Sequence, residues 1–225
     1  MPPAISQAAQ KAIAQLLKYA VEDDGFFAGA DTATLKFNKG KITGPNGRAI
    51  AFTDILQQKK IAAAEGTAKS SGEPSKEYSC KSFGAHFVEA RWDPGISRLR
   101  VSRVVSAIDA GQIVNEKTAA NQVEGAIVMG IGMALFEHTE YDLNSGRPVN
   151  TDLAEYLMPV HADQPPELNV ILLKHPDYNF SEFGVRGIGE IGITGLAGAI
   201  ANAVYHANGT RIRDLPITLD KLIRV

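Results

Sequence analysis

Apolar residues Ile5, Ala8, Ala9, Ala12, Ile13, Leu16, Leu17 and Ala20 recur at three- and four-residue intervals, the spacing of one face of a helix. This amphipathic helix begins almost at the first Met and its Ala-rich face asks for a partner, so the chain reads as though it opens inside a domain. The stretch TLKFNKGKITGPNGRAI then alternates apolar and polar residues around Asn38–Lys39–Gly40 and Asn46–Gly47, which predicts a small hairpin with turn chemistry. Thr53-Asp54 is read as the cap of a short helix through Ile55, Leu56, Ile61 and Ala62. Next comes AKSSGEPSKEYS, with no apolar period, a linker composition. The expected organisation is a small N-terminal piece over 1–67, a linker over 68–80 and a larger region over 81–225.

Beyond the linker, SFGAHFVEARWD and SRLRVSRVVSAID both read as strands joined by a turn at Asp93–Pro94–Gly95. The first alternates Phe83, Ala85, Phe87; the second alternates Leu99 and Val101 and becomes fully apolar at Val104-Val105. A Gly- and Ala-rich helix, NEKTAANQVEGAIVMGIGMALFEH, follows. YDLNSGRPVN reads as a turn, ELNVILLKH as a strand, and His175–Phe183 as a loop. Then GVRGIGEIGITGLAGAIANAVYHANG combines a glycine-dense loop with a second Ala/Gly-rich helix, and Gly209 stands where a C-cap glycine belongs. Helices and strands come in mixed order, which predicts the α+β class.

Charge and cysteine content then remove several functions. The 225 residues carry 23 Lys+Arg against 25 Asp+Glu, a net charge of −2. That balance offers no electrostatic reason to expect nucleic acid or an anionic membrane as a partner. No apolar run approaches the roughly 18 residues a bilayer span requires. The first residues have neither a basic nor an apolar leader segment, so no secretory signal is expected there. Cys80 is the single cysteine, too few for an internal disulfide or a Cys-rich metal site.

Few side chains suggest chemistry by spacing. His86, His138, His161, His175 and His206 never fall at metal-ligand intervals and are read as surface or satisfied, partly buried imidazoles. Ser106 and Ser181 lack a nucleophile elbow, and Cys80 is read as structural. Gly125, Gly130 and Gly132 lie inside a helix and are read as sites of close helix packing. The segment GVRGIGEIGITG differs, with Gly184, Gly187, Gly189, Gly192 and Gly195 around one carboxylate, Glu190. Backbone so free of side chains can approach a bulky ligand. Flanked by Ile188, Ile191 and Ile193, Glu190 is expected to be desolvated and useful as a general base. Equally, it could pair with Arg186 or cap the following helix; spacing leaves both open.

From Ser82 to Leu222 the chain resembles the C-terminal part of the molybdenum-cofactor-binding subunit of the xanthine dehydrogenase/aldehyde oxidoreductase family. SFGAHFVEARWDP, RVSRVVSAIDAGQIVNEKTAANQVEGAIVMGIGMALFE, VNTDLAEYLMPV and RGIGEIGITGLAGAIANAVYHANGTRIRDLPITLDKL carry the resemblance, in the family's order and spacing. It implies an α+β fold of mixed sheets with packed Gly/Ala-rich helices, and a catalytic role for Glu190 as proton acceptor. It also implies cofactor binding by Gln122, Gly187 and Gly189, with no metal ligand drawn from the protein. The implied cofactor is a molybdopterin-type molybdenum group, completed by segments this chain lacks. Iron–sulfur clusters and FAD are expected on partner subunits, and the implied substrate is an aldehyde or an N-heteroaromatic compound hydroxylated with oxygen from water. The family's subunit is several times longer, so the chain reads as a C-terminal fragment, expected to be inactive and to self-associate when isolated. The alternative is a folded, catalytically inactive assembly piece. A cytoplasmic location, or a periplasmic one reached by co-export on a partner, is compatible with the resemblance.

Overall fold

The computed structural model describes residues 2–69 and 76–223, so the middle of the linker expected at 68–80 lies outside the described residues. The chain divides into two compact units, Met1–Glu73 and Pro74–Val225.

In the first unit, helix α1 (Pro2–Val21) precedes a three-stranded antiparallel meander of β1 (Lys36–Asn38), β2 (Lys41–Thr43) and β3 (Ala49–Ala51), closed by helix α2 (Phe52–Lys59). Leu16 and Ala20 of α1 are buried with Phe27, Leu35, Ile42, Ile50 and Ile55. The far half of the helix therefore finds its partner within its own unit. The cap expected at Thr53-Asp54 is corrected: both residues lie inside the first turn, and Ala51 is the N-cap, with no side-chain hydrogen bond. The helix also stops earlier than expected. Lys60 adopts a left-handed conformation with φ 53°, which leaves Ile61 and Ala62 outside it.

In the second unit, β4 (Phe83–Asp93) and β5 (Arg98–Asp109) form a long antiparallel hairpin, and β6 (Glu167–Leu173) adds parallel to β5. Helix α3 (Glu116–Leu135) lies over β6 and helix α4 (Leu196–Asn208) over β4. The Asn115 side chain accepts a hydrogen bond from the Thr118 N–H at the start of α3, and Gly209 closes α4 at φ 76°; both satisfy groups that a helix end would otherwise leave orphaned. The two helices pack at Gly130, where a Cβ would stand 2.6 Å from a Leu196 methyl.

A bulge decides which side chains reach the core. Glu89 pairs with Arg103 but Ala90 pairs with Val101, so Ser102 is the extra residue on β5. An inserted residue reverses the alternation of faces. Leu99 and Val101 face the helices before it, and Val104, Ser106 and Ile108 after it. On β4 the residues opposite them, Val88, Ala90 and Trp92, pack on the core. Phe83 and Phe87, which mark the strand in the sequence, are 59% and 66% exposed. The fully enclosed layer joins Val104, Ile108, Val123, Ile127, Leu196 and Ile200.

Ile127 sits at the centre of that layer with no exposed surface. Ile127→Ala is expected to lower the unfolding free energy by about 2–5 kcal/mol in urea denaturation followed by circular dichroism, whereas a loss under about 1 kcal/mol would mean that α3 does not carry the core.

Candidate functional site

The glycine-dense segment starts where β5 ends. Asp109, the last residue of β5, has a side chain only 4% exposed. It accepts hydrogen bonds from the Gly111 N–H at 3.0 Å and from His175 Nδ1 at 2.9 Å, and it is ion-paired with Arg186. Burial alone would raise the Asp109 carboxyl; the Gly111 N–H, the His175 ring and the Arg186 guanidinium outweigh it and hold the group below its ordinary 3.8. Arg186 also reaches Asp177 at 3.2 Å. Backbone bonds run alongside, from the Arg186 N–H to the Ala110 carbonyl at 2.9 Å and from the Gln112 N–H to the Gly184 carbonyl at 2.7 Å. Gly111 is required here: its φ is +75°, and a Cβ would lie 2.3 Å from the Gly184 carbonyl oxygen.

Asp109, Asp177 and His175 were absent from the candidates read from the sequence. The available signal was an acid closing an apolar strand two residues before a glycine, a common turn pattern. The alternative in which Glu190 pairs with Arg186 is not seen, because the guanidinium is taken by Asp109 and Asp177. Capping is not seen either: Gly195 is the N-cap of α4 and no side chain caps it.

Glu190 itself is exposed, which corrects the expected desolvation. Its carboxylate has no hydrogen-bond or ion-pair partner among the described residues. Ile188 and Ile191 pack on the core cluster instead, and that turns the acid between them outward. Gly187 and Gly189 face open space where a side chain would begin, and the Ser82 hydroxyl donates to the Gly187 carbonyl at 2.5 Å. Two residues past Glu190, Gly192 meets α3 closely: a Cβ there would lie 2.8 Å from that of Ala126 and 2.9 Å from the Val123 carbonyl. The loop is thereby held against the helix that carries Gln122, whose side chain is exposed one residue before Val123. Gly125, one turn on, also faces open space, so the packing role expected for it is not seen, whereas Gly130 packs as expected.

A family model described as a molybdopterin cofactor-binding domain matches residues 2–165. The chain belongs to this family. The match takes in the N-terminal unit, earlier than the resemblance that begins at Ser82, and ends before the Glu190 loop. The aldehyde oxidoreductase molybdenum-binding subunit PaoC of Escherichia coli K12 is 43% identical over 196 residues, covering 87% of this chain and 26% of that protein. The putative xanthine dehydrogenase molybdenum-binding subunit XdhA of the same organism is 37% identical over 141 residues, covering 62% of this chain and 18% of its own length. This family member thus spans about a quarter of the length of PaoC. Quinoline 2-oxidoreductase from Pseudomonas putida 86 shares the fold with a TM-score of 0.68 at 22% identity, over 94% of this chain and 27% of that one. The aldehyde oxidoreductase from Desulfovibrio desulfuricans gives 0.66 at 20% identity, over 97% and 22%.

The exposed backbone of this family member fits a large cofactor. Gly125, Gly187 and Gly189 leave room for close approach, and Gln122 and Glu190 present an amide and a carboxylate that no other described residue occupies.

His86 lies at the other side of the same loop. Its Nδ1 is 2.7 Å from the Ser106 hydroxyl, and its buried Nε2 makes no well-formed hydrogen bond among the described residues, so the imidazole expected to be satisfied is satisfied at one nitrogen. Burial holds its pKa below the ordinary 6.5, against an opposing contribution from the Thr194 backbone. The unfolded chain takes up this proton near pH 6.5 and the folded chain only at lower pH, so stability is full above that value and is lost as pH falls below it. Unfolding measured from pH 7 down to about 5 is expected to show a steeper loss for the native chain than for His86→Asn, and parallel profiles would remove His86 as the cause.

Proposed function

We propose that this chain supplies part of the molybdenum site of a hydroxylase acting on an aldehyde or an N-heteroaromatic carbon, with water as the oxygen source. The observation that carries the reading is an accessible, unpartnered carboxylate on side-chain-free backbone, held by Gly192 against the helix that bears Gln122. In this reading Glu190 accepts a proton during turnover, the work of a general base. Gln122 donates a hydrogen bond to the cofactor, and Gly187 and Gly189 let the backbone approach it. The molybdopterin group, when bound, supplies the redox centre that takes up electrons removed from the substrate. Iron–sulfur and FAD centres on partner subunits carry those electrons away, and the remainder of the molybdenum subunit builds the other walls of the cleft. A cofactor of this size is ordinarily enclosed over most of its surface.

The exposure of Glu190 favours a second reading, in which the chain by itself is a folded assembly piece with no turnover. Metal content separates the two: molybdenum and pterin that co-purify with the chain support the first, and an empty, folded protein supports the second.

In the assembled enzyme, Glu190→Gln is expected to keep the cofactor and lose turnover by about 10²–10⁴-fold, since the amide cannot accept the proton; turnover retained within about tenfold would overturn the assignment. Gln122→Ala removes a neutral hydrogen bond worth about 0.5–1.5 kcal/mol. Molybdenum per chain is expected to fall while turnover per bound molybdenum stays the same. Full metal content with little turnover would instead place Gln122 in the reaction.

A further inference from the structure

The loop that carries Glu190 is tied down at both ends, and between them Ile188 and Ile191 rest on the core. At its start the Gly184 carbonyl accepts from the Gln112 and Asp177 N–H groups at 2.7 and 2.9 Å, and the Arg186 N–H donates to the Ala110 carbonyl. The Arg186 side chain, 10% exposed, lies between Asp109 and Asp177. At its far end Gly192 rests on Val123 and Ala126. Between these points Gly189 faces open space and the Glu190 side chain has no partner among the described residues. Glycines offer no steric restraint of their own, so the place of the carboxylate depends on the two ends and on the two isoleucines between them.

At the first end, the guanidinium ties the glycine segment to two other segments through their side chains. Asp109 ends β5, and Asp177 belongs to the loop after β6. A planar fork can serve two carboxylates at once with defined direction, which a lysine ammonium does poorly. Arg186 faces inward to these acids and makes no ion pair with Glu190.

We propose that Arg186, clamped between Asp109 and Asp177, is a positioning residue for Glu190. It fixes the start of the short glycine-containing stretch that bears the carboxylate and so sets how far the carboxylate reaches. This rests on Glu190 being the proton acceptor.

Amide hydrogen exchange of the 225-residue chain, read by mass spectrometry over 186–192, tests the restraint without any cofactor. Exchange there is expected to rise about tenfold in Arg186→Met and less in Arg186→Lys, while α3 stays protected. Unchanged exchange in a folded Arg186→Met overturns the proposal. If that variant does not fold, Asp177→Asn, which removes one of the two acids, decides in its place: faster exchange over 186–192 supports the clamp and unchanged exchange refutes it.

In the assembled enzyme, Arg186→Met is expected to lower kcat on the order of ten- to a hundredfold with KM and molybdenum content unchanged, and to cost nothing further in a Glu190→Gln background. Losses that add in the double variant, or a fall in molybdenum that accounts for the lost turnover, overturn positioning in favour of a general structural role. Turnover retained by Glu190→Gln alone refutes the proton-acceptor reading and with it the catalytic use of the clamp. The exchange result separately decides whether Arg186 restrains the loop.

Discussion

A carboxylate at the buried end of a strand must be compensated, and in this chain the compensation of Asp109 organises the surroundings of the candidate site. Its three partners come from the turn directly after β5, from the loop after β6 and from the glycine segment. One acid therefore fixes three loops relative to the end of the central strand. Magnitude separates this pair from the other ion pairs of the unit. Arg91, 77% exposed beside Glu89, belongs to the class worth about 0–1 kcal/mol. Removing one member of a buried pair costs about 3–5 kcal/mol, because the other charge is left uncompensated. Two acids, one guanidinium and one imidazole share the cluster, and the Gly111 N–H completes the coordination of Asp109 without adding charge.

Much of the fold was legible because its signals are local. Helical spacing marks α1, turn residues mark a hairpin that the structure extends to a three-stranded meander, and Gly209 marks the end of α4 by its own backbone freedom. The faces of the long hairpin were not legible. Phe83 and Phe87 alternate as a buried face would, yet they point outward, and Val88, Ala90 and Trp92 pack inward. Both faces of β4 carry apolar residues, so a period of two cannot choose between them. On β5 the choice is reversed at Ser102 by a bulge whose hydroxyl bonds Glu89 across the hairpin at 2.6 Å. Such a bulge is a property of the pair of strands and leaves no mark on either strand alone. Thr53 failed as a cap for a related reason: strand β3 leads directly into α2, so Ala51 already holds the extended backbone a cap needs.

At the site, the glycine segment was legible and the cluster behind it was not. Five glycines in twelve residues announce backbone that must come close to something, whatever that something is. Asp109, His175, Asp177 and Arg186 meet only after the sheet has brought β5, the loop after β6 and the glycine segment together. No interval along the chain encodes that meeting.

The burial of Glu190 was misjudged because its neighbours are isoleucines, and the structure shows why neighbours in sequence are a poor guide in such a loop. Ile188 and Ile191 spend their apolar surface on the core shared with α3 and α4. In doing so they anchor the backbone and leave the acid between them in water. Exposure in this chain and use as a base are compatible, because desolvation acts only once water is displaced from around the carboxylate. The isoleucines and the clamp then supply what a base needs in advance of that step, a fixed position. What covers the carboxylate supplies the change in its affinity for a proton. The two tasks fall to different parts of the site: the anchors lie within this chain and keep Glu190 accessible, and the cover must approach from the open side that Gly187 and Gly189 leave free.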